Sequence, residues 1–215
     1  MTAELRIRRY EPRDADPVWT LHEWALRDAG TDPDDVPGVD DLRRIEATYL
    51  DAGGSFLLGV RSEAASSIGR DRGEVGQQGT EEANQRGIGR GNGTEDHEPE
   101  LARCRPPRVD DGVLVAMGGY LPCAADGNDG ERESGPGAAE LHRMRVAPTH
   151  QRSGYGGWLL AALERRARTA GFDRLLATTA ARQQGAVRFY PAAGYTETSR
   201  STTGEYELID FEKSL

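Results

Sequence analysis

The chain has 215 residues, a length that predicts one domain built around a single hydrophobic core. Its net charge of -9 argues against non-specific binding to nucleic acid. The hydrophobic share of 36% is low, so part of the chain is expected to lie outside the core. No apolar run is long enough to cross a bilayer, and Cys104 and Cys123 lack the spacing of a metal site. These features predict a cytoplasmic protein that needs no metal.

The basic residues are almost all arginine, because Lys213 is the only lysine. An acid excess with so little lysine is typical of a halophilic source, and equally of a mildly acidic cytosolic protein. The composition does not separate these two interpretations. Neither of them favours nucleic acid or a membrane as a partner.

The N-terminal part predicts a strand, two helices and a second strand. Residues 5–10 alternate in polarity, as a half-buried strand does. An apolar stripe that starts at Val18 predicts a helix, and residues 39–50 predict a second one. Between them, the aspartate-rich turn near Asp32 is more simply a solvated turn than a site that attracts a cationic amine. Residues 55–60 predict the next strand.

Two polar segments interrupt the pattern in the middle of the chain. Residues 62–111 are dominated by Gly, Glu, Gln, Asn and Arg, and they cannot bury enough apolar area to offset the entropy of ordering. We therefore expect a disordered, low-complexity insertion between two strands that would otherwise be hairpin neighbours. A strand at residues 113–121 follows, and residues 123–137 then form a second polar insertion. Residues 1–215 as a whole are expected to be one domain.

The C-terminal half alternates strands with helices, a βαβα run that is typical of an α/β layer. Residues 141–146 predict a short strand, which Pro148 ends because proline cannot donate to a β-ladder. The next elements are a helix with an apolar stripe from Leu159 to Ala167, a strand at residues 175–179, a helix from Gln183 or Gln184, and a closing antiparallel pair at residues 195–199 and 206–213.

The turn before the first of these helices carries Gly154, Gly156 and Gly157. Glycine permits positive φ and allows another group to approach closely. The helix that follows offers unpaired N–H groups and a partial positive charge at its start, which suits a phosphate. The turn therefore predicts an anion site. It lacks the Lys-Ser/Thr ending of a P-loop, and its glycine spacing differs from the dinucleotide fingerprint.

The motif Gln151-x-x-Gly154-x-Gly156 resembles the pyrophosphate loop of the GNAT superfamily, the acyl-CoA-dependent N-acetyltransferases. The strand that precedes it, residues 140–148, and the later residues 186–195 resemble two further motifs of that family, in the family's order. The resemblance implies an α/β (α+β) fold with a mixed, mostly antiparallel central sheet flanked by about four helices. It also implies acetyl-CoA as the co-substrate.

The resemblance further implies which residues bind the coenzyme. The turn would hold the diphosphate, and main-chain groups of the preceding strand would pair with the pantetheine chain and polarise the acyl carbonyl. Gln183 stands where the family often has Asn, three residues before Ala186. The expected coenzyme contacts are Met144, Val146, Gln151, Arg152, Ser153, Gly154, Tyr155, Gly156, Gly157 and Gln183.

Two residues are candidates for acid–base catalysis. An alkylamine has a pKa near ~10.4, so it arrives protonated and needs a base. Glu140 stands where many family members carry that base, although an exposed glutamate or an ion pair with Arg143 would look the same in sequence. Tyr190 matches the family tyrosine near the coenzyme sulfur, with a core aromatic as the alternative. Pro191 could bend the helix that carries Tyr190, and His142 is more simply an ordinary strand residue.

The sequence thus predicts an N-acetyltransferase that moves an acetyl group from acetyl-CoA directly to an amine, expected to be a small molecule. No cysteine lies within the motifs to carry an acyl group. Two alternatives stay open: an acetyltransferase of protein N-termini or lysines, and a non-catalytic acyl-CoA-binding sensor or interaction module. A homodimer is one candidate for the oligomeric state.

Overall fold

The computed structural model describes residues 5–36, 38–62, 105–123, 137–204 and 206–215. Its strands are β1 (Leu5–Arg9), β2 (Ser55–Arg61), β3 (Arg108–Val109), β4 (Gly112–Pro122), β5 (Ala138–Val146), β6 (Arg174–Ala180), β7 (Thr196–Thr203) and β8 (Tyr206–Ser214). The α-helices of the described residues are α1 (Ala15–Asp28), α2 (Tyr155–Thr169) and α3 (Gln184–Ala192).

The strands form one sheet in the order β1-β2-β4-β5-β6-β8-β7, and the short β3 pairs with β4. Every neighbouring pair is antiparallel except β5 and β6, which are parallel. A parallel pair needs a crossover connection, and α2 supplies it. The expectation of a mixed, mostly antiparallel sheet is confirmed.

Helices cover both faces of this sheet. On one face, Leu159, Leu160 and Leu163 of α2 are buried in the core that also receives α3. On the opposite face, Val18 and Leu21 of α1 are buried against the sheet. Each such aliphatic side chain contributes roughly 2 kcal/mol when it leaves water. The apolar stripes seen in the sequence are therefore the ones that attach these helices.

The second helix predicted at residues 39–50 is wrong as a single α-helix. The segment is a 3-10 helix at Val39–Arg43 and a π-helix at Glu46–Leu50. Arg44 separates them, since its φ of -137° lies outside the helical region. Tertiary contacts override the local pattern here, because the Asp41 carboxylate accepts hydrogen bonds from side chains of other elements. The described residues therefore hold three α-helices where about four were expected.

Most of the two predicted insertions lies outside the described residues, namely residues 63–104 and 124–136. The last part of the first insertion contains β3, which pairs with β4. Strands β2 and β4 are antiparallel neighbours, as expected for the strands that flank this segment. Each helix within the described residues is too short or too polar to span a membrane.

Candidate active site

Strand β5 changes direction in its middle. His142 pairs with Gly119 of β4 and Arg145 pairs with Met117, so β5 carries one residue more than β4 over this stretch. Arg143 takes up the difference with a φ of 55°, a left-handed conformation in a non-glycine residue. Such bulges bend a strand and increase its twist. The bulge thus turns the second half of β5 away from its original path.

Strands β5 and β6 separate at the same point. They pair from Ala138 to Leu141 of β5, while β6 continues to Ala180 along β8. Within the described residues, the main chain of β5 from His142 to Val146 has no ladder partner on the β6 side. Unpaired main-chain groups at a strand edge are a template for another extended chain. Met144 and Val146 therefore lie on the edge that the sequence analysis expected to face pantetheine.

The turn between β5 and α2 leaves hydrogen-bond donors unpaired. Arg152 and Gly154 have φ of 59° and 82°, and Gly154 directly precedes the helix. The first helical hydrogen bond runs from the Trp158 N–H to the Gly154 carbonyl, at 3.1 Å. No side chain caps this end of α2. The N–H groups that precede Trp158 therefore make no helical hydrogen bond. Together with the positive end of the helix dipole they lie at an exposed turn, as an anion site requires.

Three predicted parts of the site meet at Gly156. A Cβ atom placed there would lie 3.4 Å from Val146 Cγ2 and 3.5 Å from Phe189 Cε2. The start of α2, the end of β5 and the middle of α3 are therefore in contact around one glycine. Motifs that are far apart in the sequence are thus brought together by the fold.

Glu140 lies on the paired half of β5 and is half-buried. Its Oε1 accepts a hydrogen bond from Thr178 Oγ1 at 3.0 Å, which orients the carboxylate. Its Oε2 lies 3.9 Å from Nε2 of His142. Burial lowers the pKa of His142 below its usual value, although the Glu140 charge opposes this shift. The lowered pKa favours the neutral imidazole of His142, a group that is able to accept a proton.

Tyr190 is buried on α3, with 5% of its surface exposed. Its ring packs at 5.5 Å from the rings of Tyr195 and Phe211. Burial raises the pKa of Tyr190 to about 12, and its hydroxyl also senses the charges of Arg145 and Glu140. Pro191 does not end the helix, because α3 continues to Ala192. The structure therefore supports the core-aromatic interpretation, and the expected position near the coenzyme sulfur stays a prediction.

The model of the acetyltransferase (GNAT) family matches residues 78–195. The chain belongs to this family. The matched range contains the turn at Gly154, Glu140 and Tyr190, so the GNAT resemblance seen in the motifs is confirmed. The protein is therefore an acetyltransferase, in a family whose co-substrate is acetyl-CoA. No curated protein sequence matches the chain.

Solved structures of GNAT proteins share the fold at low sequence identity. A GNAT-family acetyltransferase from Staphylococcus aureus Mu50 has a TM-score of 0.62 at 15% identity, over 98% of this chain and 99% of its own. The yncA protein of Salmonella typhimurium, solved with its cofactor acetyl-CoA, has a TM-score of 0.59 at 15% identity, over 98% and 93%. The ribosomal-protein-alanine N-acetyltransferase of Brucella melitensis has a TM-score of 0.58 at 14% identity, over 98% and 99%.

The remaining expected contacts of the GNAT coenzyme lie around the same region. Gln183 directly precedes α3, and its Oε1 accepts a hydrogen bond from Thr179 Oγ1 at 2.9 Å. The amide NH2 group of Gln183 takes no part in this hydrogen bond. Gln151 and Ser153 are exposed in the turn, and the Tyr155 ring stacks on His150 at 6.0 Å. The main chain of the turn is thus accessible to solvent, and the Tyr155 ring lies at one side of the turn.

The sequence analysis missed a cluster of polar side chains on the α1 face of β5. Arg143 Nε donates to Asp41 Oδ2 at 2.8 Å, and the Tyr49 hydroxyl donates to the same oxygen at 2.6 Å. His22 of α1 is fully buried near them, and Arg145 follows on β5. No local pattern marks His22 or Asp41, because their contacts span much of the chain. The spacing of Arg143 and Arg145 was the one available signal.

An open groove of about 570 Å³ lies elsewhere, between β1, β2 and the last turns of α2. Arg9, Arg165 and Arg166 line it together with Leu57 and Tyr120. Neither acid–base candidate contributes to its wall. The groove of this GNAT protein therefore does not coincide with the residues predicted for acid–base catalysis.

Proposed function

We propose that this GNAT acetyltransferase transfers the acetyl group of acetyl-CoA to the amine of a small molecule, directly and within a ternary complex. The main support is the placement of the uncapped start of α2 beside the unpaired edge of β5. One feature suits a diphosphate and the other suits an extended amide chain, and acetyl-CoA contains both. The residues present therefore fit the co-substrate of the family.

The turn and the strand would divide the binding of the coenzyme between them. N–H groups from Gln151 to Gly157 would hold the diphosphate, and the left-handed conformation at Arg152 and Gly154 directs them outward. Main-chain groups at Met144 and Val146 would pair with pantetheine and polarise the acyl carbonyl. Gln183 would donate its amide N–H groups from the start of α3. Support for these roles comes from main-chain donors that have no partner among the described residues, although the Gln151 N–H also donates to the Pro148 carbonyl at 3.4 Å.

Glu140 is our candidate for the general base. It would take the proton that the amine must lose before its nitrogen attacks the acyl carbon. The hydrogen bond from Thr178 keeps the carboxylate oriented, and the neutral His142 at 3.9 Å could pass the proton on. Glu140 stands on the half of β5 that pairs with β6, and His142 is the first residue after the strands separate. The base thus lies at the inner end of the expected pantetheine path.

Tyr190 is our candidate for the proton donor. As the new N–C bond forms, the C–S bond breaks and the sulfur takes up negative charge. A phenol with a pKa of about 12 stays protonated at neutral pH, so its hydroxyl is available to donate. Full proton transfer to a thiolate, whose conjugate acid has a pKa near ~8.5, is uphill. Tyr190 would therefore act by donating a hydrogen bond to the departing sulfur.

A small acceptor is favoured over a protein by the way the acceptor side is covered. Arg143 donates to the carbonyl of Gly38 at 2.6 Å and to Asp41, so it ties the segment after α1 onto β5. That tie leaves less room for an extended peptide. The likeness to a ribosomal-protein-alanine N-acetyltransferase keeps acetylation of a protein N-terminus as the second candidate.

Acetylation assays read by mass spectrometry test the proposal. The full chain is incubated with acetyl-CoA and a panel of small amines, peptides with free N-termini and lysine peptides. We expect an N-acetylated small amine, whereas acetylated peptides would favour the second candidate. Calorimetry with CoA at several salt concentrations gives the independent arm. Affinity for CoA without turnover of any amine would support a sensor module, and no affinity at all would contradict every version of the proposal.

A further inference from the structure

Four buried polar atoms on the α1 face of β5 have no hydrogen-bond partner among the residues that the structure describes. They are both ring nitrogens of His22, Nε of Arg145 and Oδ1 of Asp41. Buried polar atoms in native proteins are nearly always hydrogen-bonded, so such atoms grouped at one place require an explanation. His22 is fully buried, and its surroundings include Arg145, Arg143 and Asp41. The group thus combines hydrogen-bond donors of Arg145 and His22 that a polar ligand of opposite charge could use.

The charge of this cluster is unbalanced. Arg143 and Asp41 form a salt bridge at 2.8 Å and neutralise each other. Arg145 forms no salt bridge with any residue that the structure describes, and its Nη1 donates to the neighbouring carbonyl of Met144. Burial, together with the two arginines, lowers the pKa of His22 to about 3, so the imidazole is neutral. The positive charge of Arg145 is therefore not neutralised by another side chain of this buried cluster.

The opposite end of the same strand face is negative. Glu140 and His142 lie there, before the bulge, and Arg145 lies after it. The charges of Glu140 and Arg145 both act on the Tyr190 hydroxyl. The candidate base for the amine and a cation that forms no salt bridge within the described residues thus lie on one face of β5. A ligand that matches both ends carries an amine and an anion a short distance apart.

We infer that the acceptor is an aminocarboxylate, an amine of amino-acid type whose carboxylate binds Arg145 and His22 while its amine faces Glu140. This inference rests on the proposed function and names its substrate class. The planar guanidinium is suited to a carboxylate, and a neutral imidazole donates one further hydrogen bond. The carboxylate balances the charge of Arg145 and accepts hydrogen bonds from Arg145 Nε and from the one N–H of His22, whereas Asp41 Oδ1 is itself an acceptor and is not satisfied by it. Acceptor recognition and the buried cluster then have one common explanation.

Matched pairs of acceptors test this inference. The twenty standard amino acids and their α-carboxamides, which keep the amine and lose the anion, are offered with acetyl-CoA, and the N-acetyl products are measured. We expect the protein to acetylate at least one acid in clear preference to its amide. Equal rates for acids and amides, or a preference for amides, would overturn the inference and leave the acetyltransferase proposal intact.

Variants at Arg145 connect the preference to the residue. Arg145→Gln is expected to lower kcat/KM for the preferred acid by about 10- to 100-fold, the loss of a charged hydrogen bond, and to lower the amide rate clearly less, since that substrate loses only what the contact of Arg145 with the Met144 carbonyl contributes. Arg145→Lys keeps the charge and should keep part of the preference. Arg168→Gln, an exposed arginine in the last turn of α2, is the matched control and should behave as wild type. Equal losses for acid and amide in Arg145→Gln would refute the role.

A binding arm separates this inference from the proposed function. The melting temperature is measured with CoA present, with the amino acid pool or the carboxamide pool, for wild type and both Arg145 variants. If no amine is acetylated but the acid pool alone stabilises wild type and fails to stabilise Arg145→Gln, the anion site stands and the catalytic proposal fails. If neither turnover nor melting distinguishes acids from amides, the inference is wrong. If Arg145→Gln does not fold, wild type against Arg145→Lys decides.

Discussion

Tyr190 shows how one residue serves both packing and chemistry. Its ring belongs to an aromatic group with Phe189, Tyr195 and Phe211, and its hydroxyl reaches toward the charges on β5. A rigid ring fixes the hydroxyl in position without a dedicated hydrogen bond. Replacing tyrosine by phenylalanine separates the two roles, because the packing is retained and the donor is removed.

Tyr190→Phe is expected to lower kcat by about 100-fold while the affinity for CoA stays the same, since general acid catalysis contributes on this order. Steady-state kinetics and calorimetry measure the two quantities. Tyr195→Phe is the matched control, because its ring belongs to the same aromatic group and its hydroxyl lies near Glu164 of α2. An undiminished kcat in Tyr190→Phe would remove the residue from the mechanism.

His22 makes stability depend on pH. Its folded pKa of about 3 lies below the ~6.5 of an unfolded chain, so between these values the unfolded state binds more protons. Stability therefore falls as the pH is lowered from 6.5 toward 3, by roughly 1.4 kcal/mol per pH unit from this one group. Urea unfolding of wild type and His22→Gln at several pH values checks this. We expect the wild-type curve to fall more steeply, and parallel curves would refute it.

At the scale of elements, the sequence predicts a helix or strand correctly where local sequence patterns and tertiary contacts favour the same structure. Helix α2 was predicted from its leucine stripe and its glycine turn, and both features serve one purpose in the fold. The segment after α1 was mispredicted because Asp41 bonds to Tyr49 and Arg143, and no local rule anticipates Arg143. The bulge at Arg143 was equally hidden, since its φ is held by those contacts. The sequence therefore predicts the elements around the expected coenzyme site better than those around the expected acceptor site.

The start of α2 provides a test with an internal control. Gly154 and Gly171 flank the same helix with φ of 82° and 94°, and a Cβ at either position would meet nothing within 4 Å. Alanine at each should therefore cost about 1 to 2 kcal/mol of backbone strain and no more. Gly154→Ala should in addition weaken CoA binding by about tenfold, or ~1.4 kcal/mol, as the turn relaxes. Equal CoA affinities in the two variants would contradict the diphosphate role of the turn.

At the scale of the whole molecule, one sheet and its two helical layers account for the described residues. The segment between Ser62 and Arg105 connects β2 to β3. These two strands pair with opposite edges of β4. Two strand spacings separate these positions, about 10 Å. The connection therefore needs only a few residues of extended chain.

Replacing residues 63–104 by a Gly/Ser linker of about eight residues should leave the protein folded and active. We expect a melting temperature within about 2 °C of wild type, as for surface changes, and the same affinity for CoA. Calorimetric scanning and titration measure both. A large drop in either would show that the segment supports the domain, contrary to its interpretation as an insertion.

The short contact between β5 and β6 divides the sheet into two antiparallel half-sheets with one narrow seam, from Ala138 to Leu141 on the β5 side. Helix α2 is the covalent bridge across that seam. A ligand bound at the start of α2 and along β5 therefore contacts both the connecting helix and the half-sheet that contains β5. Amide hydrogen exchange should then slow in both half-sheets when CoA is added, including strands such as β1 and β7 that lie far from any ligand atom.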